Sequence, residues 1–355
     1  MAYSTINKQT SYFNSVLYTG NNTAIGSGGN AITGVGFQPD LVWIKRRASD
    51  AAHHAWYDAV RGTTKQLGSS ETAAETTQSE GLTTLGTDGF TVGSLGRVNE
   101  AGGDTYVSWN WKAGTGQGSS NTDGSINTTY TSVNTTSGFS ISKYTGTGSA
   151  ATVGHGLGVA PKMIIVKRLN NADGWQVYVD GLSSVNHYLR LDNNSAEASD
   201  SSRFGAAPTA SVFSIGTANG TNASGDTYIA YCFADKTGFS KIGSYSSNNN
   251  VNGHFVYTGF KPNWILIKSI GSGGYNWQIH DTVRQPSNLN GVTLQADTNA
   301  TEFDYAPNGY VDLLSNGFKL RSTSNGVNGS GASTYLYMAF GQTLVGSNNV
   351  AATAR

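Results

Sequence analysis

Gly36-Phe37-Gln38-Pro39-Asp40-Leu41-Val42-Trp43-Ile44-Lys45, Gly158-Val159-Ala160-Pro161-Lys162-Met163-Ile164-Ile165-Val166-Lys167 and Gly259-Phe260-Lys261-Pro262-Asn263-Trp264-Ile265-Leu266-Ile267-Lys268 are three versions of one phrase. In each, a proline is followed six positions later by a lysine: Pro39 and Lys45, Pro161 and Lys167, Pro262 and Lys268. Proline gives no N–H to a ladder and belongs at a strand's start. The short apolar run behind it reads as a strand buried on both faces.

A second landmark recurs downstream: Tyr106-Val107-Ser108-Trp109-Asn110-Trp111, Tyr228-Ile229-Ala230-Tyr231-Cys232-Phe233 and Tyr335-Leu336-Tyr337-Met338-Ala339-Phe340. Large residues alternate with smaller ones at period two, which predicts a strand with one face in a core. The aromatic face would hold Trp109, Trp111, Tyr231, Phe233, Met338 and Phe340, opposite Ser108, Ala230 and Ala339. Proline to tyrosine spans 67 residues in the first two copies and 73 in the third. Phe13 to Gly20, Phe139-Ser140-Ile141 and Phe239-Ser240-Lys241 open the copies, and Gly89-Phe90, Val212-Phe213 and Gly317-Phe318 mark a further strand in each.

A repeat of this kind is one supersecondary unit used several times. Short strands separated by Gly, Asn, Ser and Asp, with no sustained helical period, predict an all-β chain. The expected architecture is three tandem antiparallel β-sandwich units of jelly-roll, lectin-like type, over residues 1–113, 138–236 and 237–342. Residues 114–137, rich in Gly, Ser, Thr and Asn, read as a flexible or surface-hugging linker, and 343–355 as a tail. The second and third units meet with almost no linker and should pack rigidly.

Composition agrees. Charged residues are 12% of the 355, against about 25% in an ordinary soluble domain. Glycine (46 residues) and polar turn formers take their place, while 18 Tyr, 13 Phe and 7 Trp supply cores. The formal net charge is zero, which argues against nucleic acid, whose phosphates require clustered Lys and Arg. The one basic run, Lys45-Arg46-Arg47, reads as a solvated strand end. No window resembles a signal core or a membrane span, so membrane insertion is not expected and synthesis in a cytoplasm is. Cys232, alone and within an apolar strand, reads as a small buried hydrophobe.

An acidic pair also recurs: Asp58 with Glu75, Asp180 with Glu197, Asp281 with Glu302. Two carboxylates could work as acid and base on a glycosidic bond. Three equivalent pairs, with no nucleophile or histidine partner, favour turn and backbone hydrogen bonding instead. Asp58 and Arg61, like Asp281 and Arg284, stand three apart as turn-orienting ion pairs, whereas Asp180-Gly181-Leu182-Ser183 lacks the arginine. The six histidines show no metal-ligand spacing, and no nucleotide or hydrolase motif occurs. Neither metal nor cofactor is expected, and no catalytic residue is assigned. The single ligand-binding candidate is Tyr275, at the tip of a glycine loop.

The 36–45 strand, Asp58-Ala59-Val60-Arg61-Gly62, Tyr106 to Ala113, Thr152 to Lys162, Leu314 to Arg321 and Ala352-Thr353-Ala354-Arg355 together resemble repeat-containing virion proteins of marine tailed bacteriophages. The resemblance spans essentially the whole chain. It implies a non-enzymatic virion structural protein, first of all a tail-fibre or spike-type adhesion module contacting the host surface. The alternatives are a capsid-decorating protein and, disfavoured, a glycan-degrading enzyme. The implied partners are other virion proteins and a host surface glycan or protein, with the chain in a homo-oligomer, a trimer among the options.

Overall fold

A computed structural model of the chain describes residues 4–47, 50–271, 273–304, 310–330 and 334–345. The chain is all-β, with antiparallel sheets and two single-turn α-helices, Gly96–Asn99 and Asn219–Asn222, among the described residues. No described helix is long and apolar enough to cross a membrane.

One ladder occurs three times. Its strand order is Phe13–Thr19, Thr105–Trp111, Leu41–Arg46, Ala55–Asp58 in the first stretch. Phe139–Thr145, Thr227–Phe233, Met163–Arg168, Gln176–Val179 follow the same order in the second, and Ser240–Ser246, Thr334–Thr343, Phe260–Ser269, Gln278–Asp281 in the third. The strand behind each proline therefore holds the same place. Pro39 and Pro161 precede their strands, while Pro262 lies inside its strand beside a shift of register between Pro262 and Trp264. A small companion sheet covers each ladder: Asn30–Thr33 beside Gly89–Val92, Ala151–Gly154 beside Val212–Ile215, and Phe255–Tyr257 beside Gly317–Leu320.

The expectation of a single core face for the strands of Tyr106, Tyr228 and Tyr335 is corrected: both of their faces are buried. Trp109 and Trp111, Tyr231 and Phe233, Met338 and Phe340 converge in a single central core with Phe13, Phe139, Phe239, Trp43, Trp175, Trp264 and Trp277. Trp111, Phe233 and Phe340 meet pairwise there, with centroids 6.3, 6.2 and 5.8 Å apart. The opposite faces, carrying Tyr106, Ala230 and Ala339, line three separate outer cores beneath the companion sheets. Period two in these strands records two different cores, not core and solvent.

Residues 114–137 do not hang free. The Asp40 carboxylate, buried, accepts N–H bonds from Ala113 (2.7 Å), Thr115 (3.1 Å) and Gly116 (2.7 Å) and fixes the start of the stretch. Its later part, Tyr130–Asn134, adds a strand to the second ladder beside Phe139–Thr145. The tail beyond residue 345 lies outside the described residues.

Candidate functional site

The recurring polar residues gather at the seams between ladders, which close in a ring. Glu75 N–H donates to Leu169 O (2.8 Å), Glu197 N–H to Ile270 O (3.2 Å) and Glu302 N–H to Arg47 O (2.8 Å). Each glutamate thus joins its own stretch to the next, and the third returns to the first.

The three repeated lysines lie at the same seams. Lys45 Nζ donates to Asn299 O (3.3 Å), Lys167 Nζ to Thr72 O (3.2 Å) and Lys268 Nζ to Asn194 O (3.0 Å), each carbonyl belonging to a neighbouring stretch. All three lysines are buried, and that burial pushes each ammonium down to about 8. The reading of Lys45-Arg46-Arg47 as a solvated strand end is therefore overturned. Lys45 and Arg46 are buried, Arg46 pairs with Asp104, and Arg47 grips Glu302 through Nε (3.0 Å) and Nη2 (2.7 Å). Their carboxylate and carbonyl partners lie far away in sequence, so a local reading of charge missed them.

Asp58 and Asp281 build matching turns. The Asp58 Oδ1 accepts the N–H groups of Val60 (3.0 Å) and Arg61 (2.8 Å), and Oδ2 takes Arg61 Nε (2.5 Å). Asp281 does the same with Val283 (3.1 Å), Arg284 (2.8 Å) and Arg284 Nε (2.6 Å). The arginines continue to Glu75 (3.1 Å) and Glu302 (3.2 Å). A donor from the adjacent ladder completes each turn: Tyr231 Oη to Asp58 (2.7 Å) and Trp109 Nε1 to Asp281 (3.0 Å).

Asp180 is not their equivalent, contrary to its place in the repeat. Leu41 faces Asp58 and Trp264 faces Asp281, but Met163 faces Val179. The N–H groups of Ala59, Asp180 and Thr282 all donate to the residue after the repeated proline, which fixes the alignment. Val179 thus stands at the aspartate position, Leu182 at the arginine position and Met338 at that of Tyr231 and Trp109. Asp180 itself is largely exposed and pairs with Lys162. Glu197 keeps its seam, with Ser183 N–H donating to its carboxylate (2.9 Å).

The same register exposes a set that sequence reading missed. His54, Trp175 and Trp277 are equivalent, and each bonds across a seam: Trp175 Nε1 to Gly68 O (2.8 Å), Trp277 Nε1 to Arg190 O (2.9 Å) and His54 Nε2 with Gln295 O (2.9 Å). His54 Nδ1 accepts from Trp43 Nε1 (2.7 Å), so Nε2 carries the proton and the ring is neutral. Burial holds its pKa well below the usual histidine value. A second missed set is Tyr18, Tyr144 and Tyr245, stacked on Tyr106, Tyr228 and Tyr335 at 5.0, 5.2 and 5.2 Å. Asn99, Asn222 and Asn328 accompany them, accepting the N–H groups of Asn21, Thr147 and Asn248. Each asparagine stands six or seven residues before the repeated tyrosine, a spacing that the sequence does display.

Tyr275 belongs to a seam as well: it is half-buried, and its carbonyl accepts from Lys268 Nζ (2.6 Å). Cys232 is buried and its thiol is pushed up by that burial, in keeping with an inert hydrophobe. No group of three or more His, Cys, Asp or Glu among the described residues could hold a metal ion. An aromatic site lies on the third stretch. There a cleft of about 460 Å³ is lined by Lys241, Tyr245, His254, Phe255, Tyr257 and Tyr337.

Residues 8–343 match a family model described as a domain of unknown function, DUF7483. No curated protein and no solved structure matches the chain.

Proposed function

We propose, for a chain that belongs to the DUF7483 family, a non-enzymatic structural role in a virus particle, as a tail-fibre or spike-type adhesion module. In this reading the three ladders with their companion sheets are three copies of one jelly-roll, lectin-like sandwich unit, with boundaries near 1–113, 138–236 and 237–342. The observation that supports it is the use made of the recurring charged side chains. Asp58, Arg61, Asp281 and Arg284 are buried in seams, bonded to backbone, to one another and to the next ladder. An acid–base pair for glycoside cleavage must reach a sugar and exchange a proton. These groups hold a ring together instead.

Such a ring is a rigid platform with loops and companion sheets outermost, which suits display on a particle and repeated weak contact with a host glycan or protein. Decoration of a capsid is the second reading, favoured by the cyclic closure: a threefold-like body matches a threefold-related site. A homotrimer would have to join through the outer surfaces, because the inner faces are already sealed against one another.

Labelling intact particles with antibody against this chain separates the readings. Label at tail tips supports adhesion, and label over the head supports decoration. Label on neither, together with depolymerisation of host polysaccharide by the purified chain, would overturn both.

A further inference from the structure

Each ladder and its companion sheet leave a flank between their edge strands, and the chain treats the three flanks differently. In the first, Asn14 on the ladder edge donates through Nδ2 to Gly34 O (3.1 Å) and Val35 O (3.0 Å), which stitches the flank shut. In the second, the chain's own segment closes it. Tyr130–Asn134 pairs with the ladder edge, and Ser125 and Ile126 lie along the companion edge strand Ala151–Gly154. Ile126 N–H donates to Thr152 O (3.0 Å), and Thr152 N–H donates to Ser125 Oγ (2.9 Å). The Ile126 side chain is buried in the outer core with Val153, Tyr144 and Phe213.

Among the described residues the third flank has neither device, and His254 Nδ1 bonds Ser246 O (2.9 Å) only at its hairpin end. Four residues before the stacked tyrosine, where the first ladder carries Asn14, stands Lys241, with its Nζ 5.7 Å from the Tyr257 ring centroid. Ser240–Ser246 and Phe255–Tyr257 are both terminal strands of their sheets. Val256 faces Phe318 as Val153 faces Phe213 and Ile32 faces Phe90, which places Phe255 and Tyr257 at the positions of Thr152 and Gly154. Where the first flank shows Ala31 and Thr33, the third shows two large rings, 44% and 52% exposed. An unpaired edge bearing exposed aromatics beside a cleft is a template for another strand.

We propose that this flank docks an extended segment of a partner polypeptide, which lies along Phe255–Tyr257 as Ser125–Ile126 lie along Thr152–Val153. The occupant's chemistry follows from the covered flank and from the walls of the open one. Main-chain hydrogen bonds to the edge bind it, and one β-branched aliphatic side chain enters between Val256, Phe255 and Tyr337. The cleft's own lining carries Lys241 and His254, with Asp235 beside Lys241 in the adjoining hollow, so its His254 end suits a segment with an acidic residue, such as the Asp123 three residues before Ile126. The site stands on the geometry of the flanks and does not depend on the particle role.

The test uses the full chain and a fluorescent peptide of residues 119–128, with fluorescence anisotropy as the readout. Saturable binding is expected, together with slowed hydrogen exchange at the Phe255 and Tyr257 amides. Phe255→Ser with Tyr257→Ser should weaken it by about tenfold or more, as loss of aromatic anchors does. Thr33→Ala on the first flank, and an unchanged melting temperature of the double variant, are the controls. A peptide carrying Ile126→Asp should bind more weakly than the parent. Absence of saturation, or equal binding by the double variant, would overturn the proposal. So would saturable binding of chitohexaose or dextran oligomers at these aromatics without any peptide binding, which would give the cleft to a glycan.

Discussion

The seam between the first and second ladders and the one between the second and third solve the same packing problem with opposite chemistry. At the first, Asp58, Arg61 and Tyr231 form a buried, fully hydrogen-bonded charge cluster. At the second, the matching positions are Val179, Leu182 and Met338, all apolar, with Leu182 packed against the central core. Gly181 lies at the edge of the third ladder, where a Cβ would come within 3.2 Å of Leu336 Cδ2. The aspartate, the arginine and the donor go together: with one gone, the others would each lose a buried charge-assisted partner. Buried ion pairs return little net stability over well-packed hydrophobes, yet breaking one is costly. One chain holds both solutions in the same frame.

The largest effect should come from breaking a charged seam on one side. Arg284→Leu leaves Asp281 buried and short of its cation, and should cost about 3–5 kcal/mol in chemical denaturation. The matching change Leu182→Ala at the apolar seam only trims a half-buried side chain. A loss there as large as at Arg284 would erase the distinction. Converting the whole first seam, with Asp58→Val, Arg61→Leu and Tyr231→Met together, should cost far less than Arg284→Leu, within about 2 kcal/mol of the parent. If the triple variant is worse than the single one, the two seams are not interchangeable. Smaller still, Tyr231→Phe removes only the hydroxyl that donates to Asp58, a loss of about 1.5 kcal/mol. Met338→Leu, at the same place in the apolar seam, conserves volume and should move stability by less than about 1.5 kcal/mol.

The lysines are common to all three seams, so their pH signature should survive the triple conversion. Burial holds Lys45, Lys167 and Lys268 at about 8, below the ordinary lysine value of 10.5. Between these values the unfolded chain binds more protons than the native one, so these groups make stability rise with pH across the window. Above about 10 the buried tyrosines oppose them, since Tyr18, Tyr144 and Tyr245 are held protonated in the fold. Midpoints measured from pH 7.5 to 9.5 in parent and in Lys167→Met check this. The slope should shrink in the variant.

Much of the ladder was legible because it is local. The prolines, the lysines and the repeated Tyr106, Tyr228 and Tyr335 mark strands that do hold equivalent places. Asp58 and Asp281 bond their own turns, as their short side chains suggest. What stayed hidden depends on partners far away in sequence. Lys45 reads as a surface residue until Asn299 is brought beside it, and His54 shows no kinship with Trp175 and Trp277. What those three share is one N–H aimed across a seam, not a residue type. Asp180 misled because a hairpin one residue shorter slid a matching letter out of register.

The closing bond from Glu302 to Arg47 also has a bearing on how the protein is made on the ribosome. The tryptophan-rich inner face of the first ladder is fully covered only when Thr334–Thr343, more than three hundred residues behind Phe13, has been synthesised. Until then the nascent chain carries an apolar face that the second ladder covers only in part, the condition under which partly made proteins aggregate or recruit chaperones. A chain cut short before that strand should therefore be less soluble than the full-length protein.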